Sequence, residues 1–129
     1  MGIHAITELL ELAPVYKQLA TSLKRPTGLT RTQIIDEAVP FLLATLWKDL
    51  QVPMLVICPS SNDSRTLEEN ISGWVEKKDS ILRFGESDTL PFERLVTDSE
   101  TSRQRIFTLS HLTKKSSSPP IVIASAAAV

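Results

Sequence analysis

The sequence predicts an α/β domain, a parallel sheet with helices on both faces. Three observations carry that prediction. Short apolar runs alternate with segments of helical period along the chain. The run Val52-Pro53-Met54-Leu55-Val56-Ile57-Cys58-Pro59 is continuously apolar and bounded by prolines, as expected of a parallel strand buried on both faces. The stretch Pro26-Thr27-Gly28-Leu29-Thr30-Arg31-Thr32-Gln33-Ile34-Ile35 stands where a phosphate-binding loop stands, after a helical leader and before a long apolar helix.

The leader comes first. Ile3, Ile6, Leu9, Leu10 and Ala13 recur at helical spacing, and Pro14 breaks or restarts the helix. Tyr16, Leu19, Ala20 and Leu23 continue a second short helix, which Pro26 ends. Residues 1–26 thus read as a helical lead-in and residues 27–129 as the α/β domain. Residues 27–30 read as a short extended piece and 32–50 as mostly helical, with Ile34, Ile35, Ala38, Phe41, Leu42, Thr45, Leu46 and Leu50 inward. A proline inside a helix costs about 3 kcal/mol. Pro40 therefore either kinks this helix or starts the main one after a short turn.

After the apolar strand, residues 60–64 form a turn and N-cap cluster. Residues 65–76 read as an amphipathic helix with Leu67, Ile71, Trp74 and Val75 inward. Trp47, off such a pattern, is expected to be partly exposed. Residues 80–84 read as the next strand and 85–97 as a loop with Pro91. Asp98-Ser99-Glu100 caps a helix carrying Ile106, Leu109 and Leu112 inward. After a polar turn, Ile121-Val122-Ile123-Ala124 is the last buried strand, and a further helix is expected from Ser125. A stop one turn into that helix suggests a domain truncated at its C-terminus, a fragment.

Composition narrows the function classes. The 129 residues allow one domain, with a formal net charge of −1 that does not mark a free-standing nucleic-acid binder. The single cysteine, Cys58, excludes an internal disulfide and fits a reducing compartment. No basic leader precedes an apolar run, and no apolar stretch approaches the roughly 20 residues that cross a bilayer. A soluble, cytoplasmic monomer is expected, with no membrane contact.

The loop lacks what a working phosphate loop needs. A Gly-x-x-x-x-Gly-Lys-Ser/Thr loop curls backbone N–H groups around phosphates and reaches the terminal ones with its lysine. Here Gly28 and Thr32 remain, but Arg31 and Gln33 stand at glycine positions. Ile34 replaces the lysine and Ile35 the metal-holding hydroxyl. Side chains at 31 and 33 block the close approach of backbone to phosphate, and left-handed non-glycine residues cost about 1–2 kcal/mol each. Gly28, Arg31, Thr32, Gln33, Ile34 and Ile35 therefore read as a degenerate phosphate loop that binds no nucleotide, and no cofactor is expected.

Other candidates are sparse. Cys58 ends a buried strand, where open α/β folds place their sites, but a nucleophile needs a base, and His4 and His111 both lie on predicted helices. Two histidines and one cysteine make no zinc pattern. Glu86, Asp88 and Glu93 read as a charged, water-facing loop. Arg103, Arg105, Lys114 and Lys115 are possible nucleic-acid or partner contacts, although a solvated face paired with Glu100 is the preferred reading.

The order of these features resembles one family. The degenerate loop Gly28-Leu29-Thr30-Arg31-Thr32 precedes the strand Met54-Leu55-Val56-Ile57-Cys58-Pro59. Then come Asp88-Thr89-Leu90-Pro91-Phe92-Glu93-Arg94, the segment Ser102-Arg103-Gln104-Arg105 and the strand Ile121-Val122-Ile123-Ala124-Ser125. This is similar to the N-terminal part of bacterial transcription-repair coupling factors (Mfd). The most specific piece is Thr89-Leu90-Pro91-Phe92-Glu93, which resembles the family's Thr-Leu-Pro-Tyr-Glu stretch. The resemblance implies a RecA-like helicase domain that has lost its nucleotide site, similar to the excision-repair subunit UvrB. It implies a non-catalytic scaffold in nucleotide excision repair that helps recruit UvrA. It also implies a parent chain whose downstream ATP-driven translocase engages DNA and RNA polymerase. UvrB's DNA-gripping hairpin has only residues 97–101 in its place here. Two other readings remain open: a nucleotide-binding helicase domain with an atypical loop, and a DNA-binding module using Arg103, Arg105, Lys114 and Lys115.

Overall fold

The computed structural model describes residues 3–25, 28–87, 99–114 and 117–129. The chain divides after Gln51 into two compact units, whereas the sequence places its boundary at 26/27.

The first unit is helical. Helix α1 (Ile3–Leu12) follows its predicted bounds. Helix α2 (Pro14–Leu23) starts with its proline in the first turn, where the missing N–H costs nothing. Helix α3 (Val39–Leu50) follows a 3₁₀ turn at Asp36–Ala38. Pro40 thus starts the main helix after a short turn, the second of the two arrangements the sequence allows, and residues 32–38 are not α-helical. Helix α1 packs against α2 and α3. The Tyr16 hydroxyl donates to Asp49, and Lys48 pairs with Glu11 at 3.0 Å, so polar contacts tie each of α1 and α2 to α3. Trp47 is buried, not partly exposed, together with Ala44, Thr45 and Leu46. Helix α3 ends at Gln51, which takes the left-handed conformation (φ 50°, ψ 42°) usual for glycine.

The second unit is α/β. Strands β1 (Met54–Cys58), β2 (Ile81–Phe84) and β3 (Ile121–Ser125) form a parallel sheet in the order β1-β3-β2. Helix α4 (Ser61–Ile71) connects β1 to β2, and α5 (Ser99–Thr113) connects β2 to β3. The first crossover moves outward across the sheet and the second moves back. Right-handed crossovers of opposite direction put their helices on opposite faces. Adjacent residues of β2 bear this out: Arg83 reaches Glu68 of α4 at 2.8 Å, while Phe84 lies under Arg105 of α5. The expected helices on both faces are therefore present.

The core lies on the central strand. Ile121, Ile123 and Ala124 are fully buried, and α4 adds Ile71. Each of these isoleucine side chains contributes about 1.5–3 kcal/mol by leaving water. Helix α4 begins earlier than predicted because Ser60 caps it: the Asp63 N–H donates to Ser60 Oγ at 3.2 Å. Of its expected inward residues, Ile71 and the following Val75 are buried, and Leu67 and Trp74 are half-buried.

Two expectations fail here. Strand β1 is not buried on both faces: Leu55 and Ile57 are more than half exposed, because β1 is an edge strand and α5 packs on β2. Helix α5 does not turn Ile106, Leu109 and Leu112 inward. They are 67%, 51% and 46% exposed, and Thr108 and Arg105 face the sheet instead. Past Ser125 the chain makes a single turn, closed by the Ala128 N–H on the Ser125 carbonyl at 3.1 Å.

Candidate functional site

The phosphate-loop stretch is the first place to look. Residues 28–35 have no secondary structure, so the piece read as extended over 27–30 forms no strand at 28–30, and Thr27 lies outside the described residues. Gly28 has φ +148°, a conformation that a side chain strains, and nothing crowds its α-carbon. Arg31, Thr32 and Gln33 are exposed, Ile34 is half-buried and Ile35 is 70% exposed. A phosphate loop gathers its anion at the N-terminus of the helix that it opens. Here α3 begins four residues after Ile35, behind a 3₁₀ turn. The strand–loop–helix geometry that would converge N–H groups on a phosphate is not formed.

The carboxyl end of the sheet is the other usual place for a site. It is occupied by the chain's own groups. The N-terminus of α4 holds Asp63, which also accepts from Ser60 Oγ at 2.7 Å. A resident carboxylate already takes the favourable position that a ligand anion would seek. Ser125 Oγ donates to Glu86 at 2.5 Å, and Ala126 N–H donates to the Cys58 carbonyl. Cys58 is 7% exposed. Burial, assisted by the Asp63 carboxylate, pushes its thiol pKa up, away from the thiolate that a nucleophile needs. Among the described residues no group of three or more His, Cys, Asp or Glu could hold a metal ion.

Among the described residues, the cations proposed as contacts do not all face solvent. Arg105 points inward: its Nη1 donates to the carbonyls of Gly85 (2.6 Å) and Ala128 (3.2 Å), and its guanidinium lies 3.9 Å from the Phe84 ring centre. It is a structural clamp that closes the end of β2 and the terminal turn onto α5. Arg103 is exposed and sits 3.7 Å from Glu100 one turn away. Lys114 is exposed at the end of α5. Lys115 lies outside the described residues, as does the 88–94 stretch that carries the most specific family likeness.

Two concavities lie among the described residues. One, of about 480 Å³, lies at the amino end of the strands among Pro53, Asp79, Leu82, His111, Lys114 and Pro120. It is at the end of the sheet opposite to usual α/β sites. Its Ser118 already accepts from Lys77 at 2.7 Å, and the His111 Nδ1 lies 3.2 Å from the Phe107 carbonyl. The other, also about 480 Å³, is an open groove along α2 lined by Lys17, Gln18, Thr21, Ser22 and Arg25. The composition of the whole chain hides this groove. Its sequence signal is local: between Glu11 and Asp36 there is no acidic residue, and four of the chain's cations (Lys17, Lys24, Arg25 and Arg31) fall there.

No protein-family model, no curated protein and no solved structure matches the chain.

Proposed function

We propose that the chain is a non-catalytic, RecA-like module of the transcription-repair coupling type. In this reading it is a scaffold in nucleotide excision repair, within a longer chain whose translocase engages DNA and RNA polymerase, and it helps bring in UvrA. The observation that carries the non-catalytic part is the 28–35 segment, a largely exposed stretch without secondary structure, with side chains at 31 and 33 and isoleucines at 34 and 35. A parallel sheet with crossover helices on both faces, downstream of that segment, supports the RecA-like part. The carboxyl end of the sheet supports it too, since among the described residues Ser60 is paired with Asp63 and Ser125 with Glu86 there, and burial raises the pKa of the Cys58 thiol. The alternative DNA surface on α5 is weakened, because Arg105 is engaged internally.

The test is a calorimetric titration with MgATP. The chain gives no saturable heat. The variant Arg31→Gly, Gln33→Gly, Ile34→Lys, Ile35→Thr is titrated beside it, and binding by that variant alone supports the degenerate-loop origin. Micromolar binding by the unaltered chain, lost on Thr32→Ala, overturns the reading in favour of a nucleotide-dependent domain. For the partner, saturable binding of purified UvrA to the chain supports the scaffold assignment, and its absence removes UvrA from it.

A further inference from the structure

We infer that the exposed face of α2 is a docking strip for the phosphate backbone of duplex DNA. The inference does not rest on the reading above. It starts from charge segregation. The first unit carries five cations (Lys17, Lys24, Arg25, Arg31, Lys48) and five acids (Glu8, Glu11, Asp36, Glu37, Asp49), so its net charge hides the arrangement. All five acids lie outside residues 12–35, and four of the cations lie within them. Lys48, the fifth, is paired with Glu11. Among the described residues Lys17, Lys24 and Arg25 make no ion pair, and all three are exposed.

The geometry is that of a strip. Lys17, Gln18, Thr21, Ser22 and Arg25 line one continuous groove. Lys24, seven residues from Lys17, lies at nearly the same angle around the helix. Seven residues at 1.5 Å each set Lys17 and the C-cap Lys24 about 10 Å apart along the axis, with Arg25 next in the chain, which spans about three phosphates of one strand. Between the cations stands the Gln18 amide, a group that serves phosphate oxygens without reading sequence, while the Thr21 and Ser22 hydroxyls donate to the Lys17 and Gln18 carbonyls at 2.7 and 2.9 Å and keep the groove floor small and polar.

A helix-capping role explains only part of this. Cations near a helix C-terminus complement the macrodipole, which accounts for Lys24 and Arg25. Lys17 follows the first turn of α2, which has no acidic residue, and there a cation opposes the dipole. The choice between nucleic acid and an acidic protein partner follows from what the groove lacks. No apolar side chain lines it, whereas protein interfaces draw their affinity from desolvated apolar or aromatic anchors. The one tyrosine, Tyr16, is buried, so α2 offers no stacking platform for unpaired bases. A duplex backbone is the partner that needs neither.

The test uses the whole chain and a fluorescein-labelled duplex of arbitrary sequence, read by anisotropy against salt. Three phosphate contacts give a slope of log K on log salt of about −2.7, so affinity falls about 40-fold from about 50 to 200 mM salt. Reversal by Lys17→Glu, Lys24→Glu and Arg25→Glu abolishes binding, while Arg103→Glu with Lys114→Glu leaves it unchanged. The neutral variants Lys17→Gln, Lys24→Gln and Arg25→Gln each reduce the slope by about 0.9, which keeps the test decisive if the triple reversal does not fold. Three results overturn the inference: no binding at low salt, equal loss in the Arg103/Lys114 variant, or equal competition by polyglutamate of matched charge.

Discussion

Arg105 shows at the level of one side chain why sequence alone misassigned a surface. On a helix that also carries Arg103, it reads as one more solvated cation. The structure gives its fork two carbonyls and an aromatic face. Hydrogen bonds from a charged donor contribute about 1.5–3 kcal/mol, and a partly desolvated cation–π contact adds about 1 kcal/mol. Arg105→Ala is therefore expected to lower stability by about 2–3 kcal/mol, whereas Arg103→Ala changes it by less than about 0.5 kcal/mol, as exposed ion pairs do. Urea midpoints of the two variants decide this; equal small shifts would return Arg105 to the surface. Thr108 is the second such residue. Its hydroxyl donates to the Arg83 carbonyl at 2.9 Å and it is 1% exposed, so Thr108→Val leaves a buried carbonyl short of a partner and costs about 1–2 kcal/mol.

At the scale of the element, the readable features were those written in local chemistry. Helix α1, the proline start of α2, the cap of α4 and the positions of all three strands were legible because proline, serine and continuous apolar runs act through the backbone next to them, while at Pro40 the sequence left a kink and a helix start both open. Ser60→Ala is expected to cost about 1 kcal/mol through the lost cap, measurable as a drop in melting temperature. What was not legible depends on which neighbour an element meets. The apolar positions of α5 have helical spacing, but its polar face docks on β2 because Arg105 and Thr108 find carbonyl partners there. Periodicity counts polar residues as outward and cannot see those partners. Ile106→Gln and Leu109→Gln are therefore expected to change stability by less than about 0.5 kcal/mol, as surface substitutions do. A loss of several kcal/mol in urea unfolding would restore the inward face that periodicity predicts. Strand β1 repeats the lesson. Its apolar run predicts burial on both faces, but only a sheet wider or more fully covered than these three strands gives that. The candidate loop was legible as a sequence departure at 31, 33, 34 and 35. The geometry around it was not, because Pro40 moves the helix start away from the loop.

Each of the two units is expected to lose stability in alkali, chiefly through one buried acid. In the second unit Cys58 has its thiol pKa raised above the ordinary 9.0, chiefly by burial. In the first, Tyr16 has its phenol raised well above the ordinary 10.0, by burial and then by its hydrogen bond to Asp49. Both groups are protonated in the folded state at a pH where the unfolded chain has begun to ionise. Their contribution is therefore complete below the unfolded pKa and is lost as pH rises through the folded one. Lys48, raised above 10.5 by its bond to Glu11, acts in the same sense, since the pair persists only while the amine is charged. Stability is expected to be insensitive to these groups at neutral pH, to fall from about pH 9 through Cys58, and to fall more steeply above about pH 10 through Tyr16. Urea midpoints measured between about pH 7 and 11 separate the contributions. Tyr16→Phe, which cannot ionise, should remove the steeper part and leave the earlier decline, and Cys58→Ala should do the reverse. If Tyr16→Phe left the alkaline limb unchanged, the phenol would have to ionise as readily in the folded chain as in the unfolded one. The Tyr16–Asp49 contact would then not hold α2 to α3 in solution.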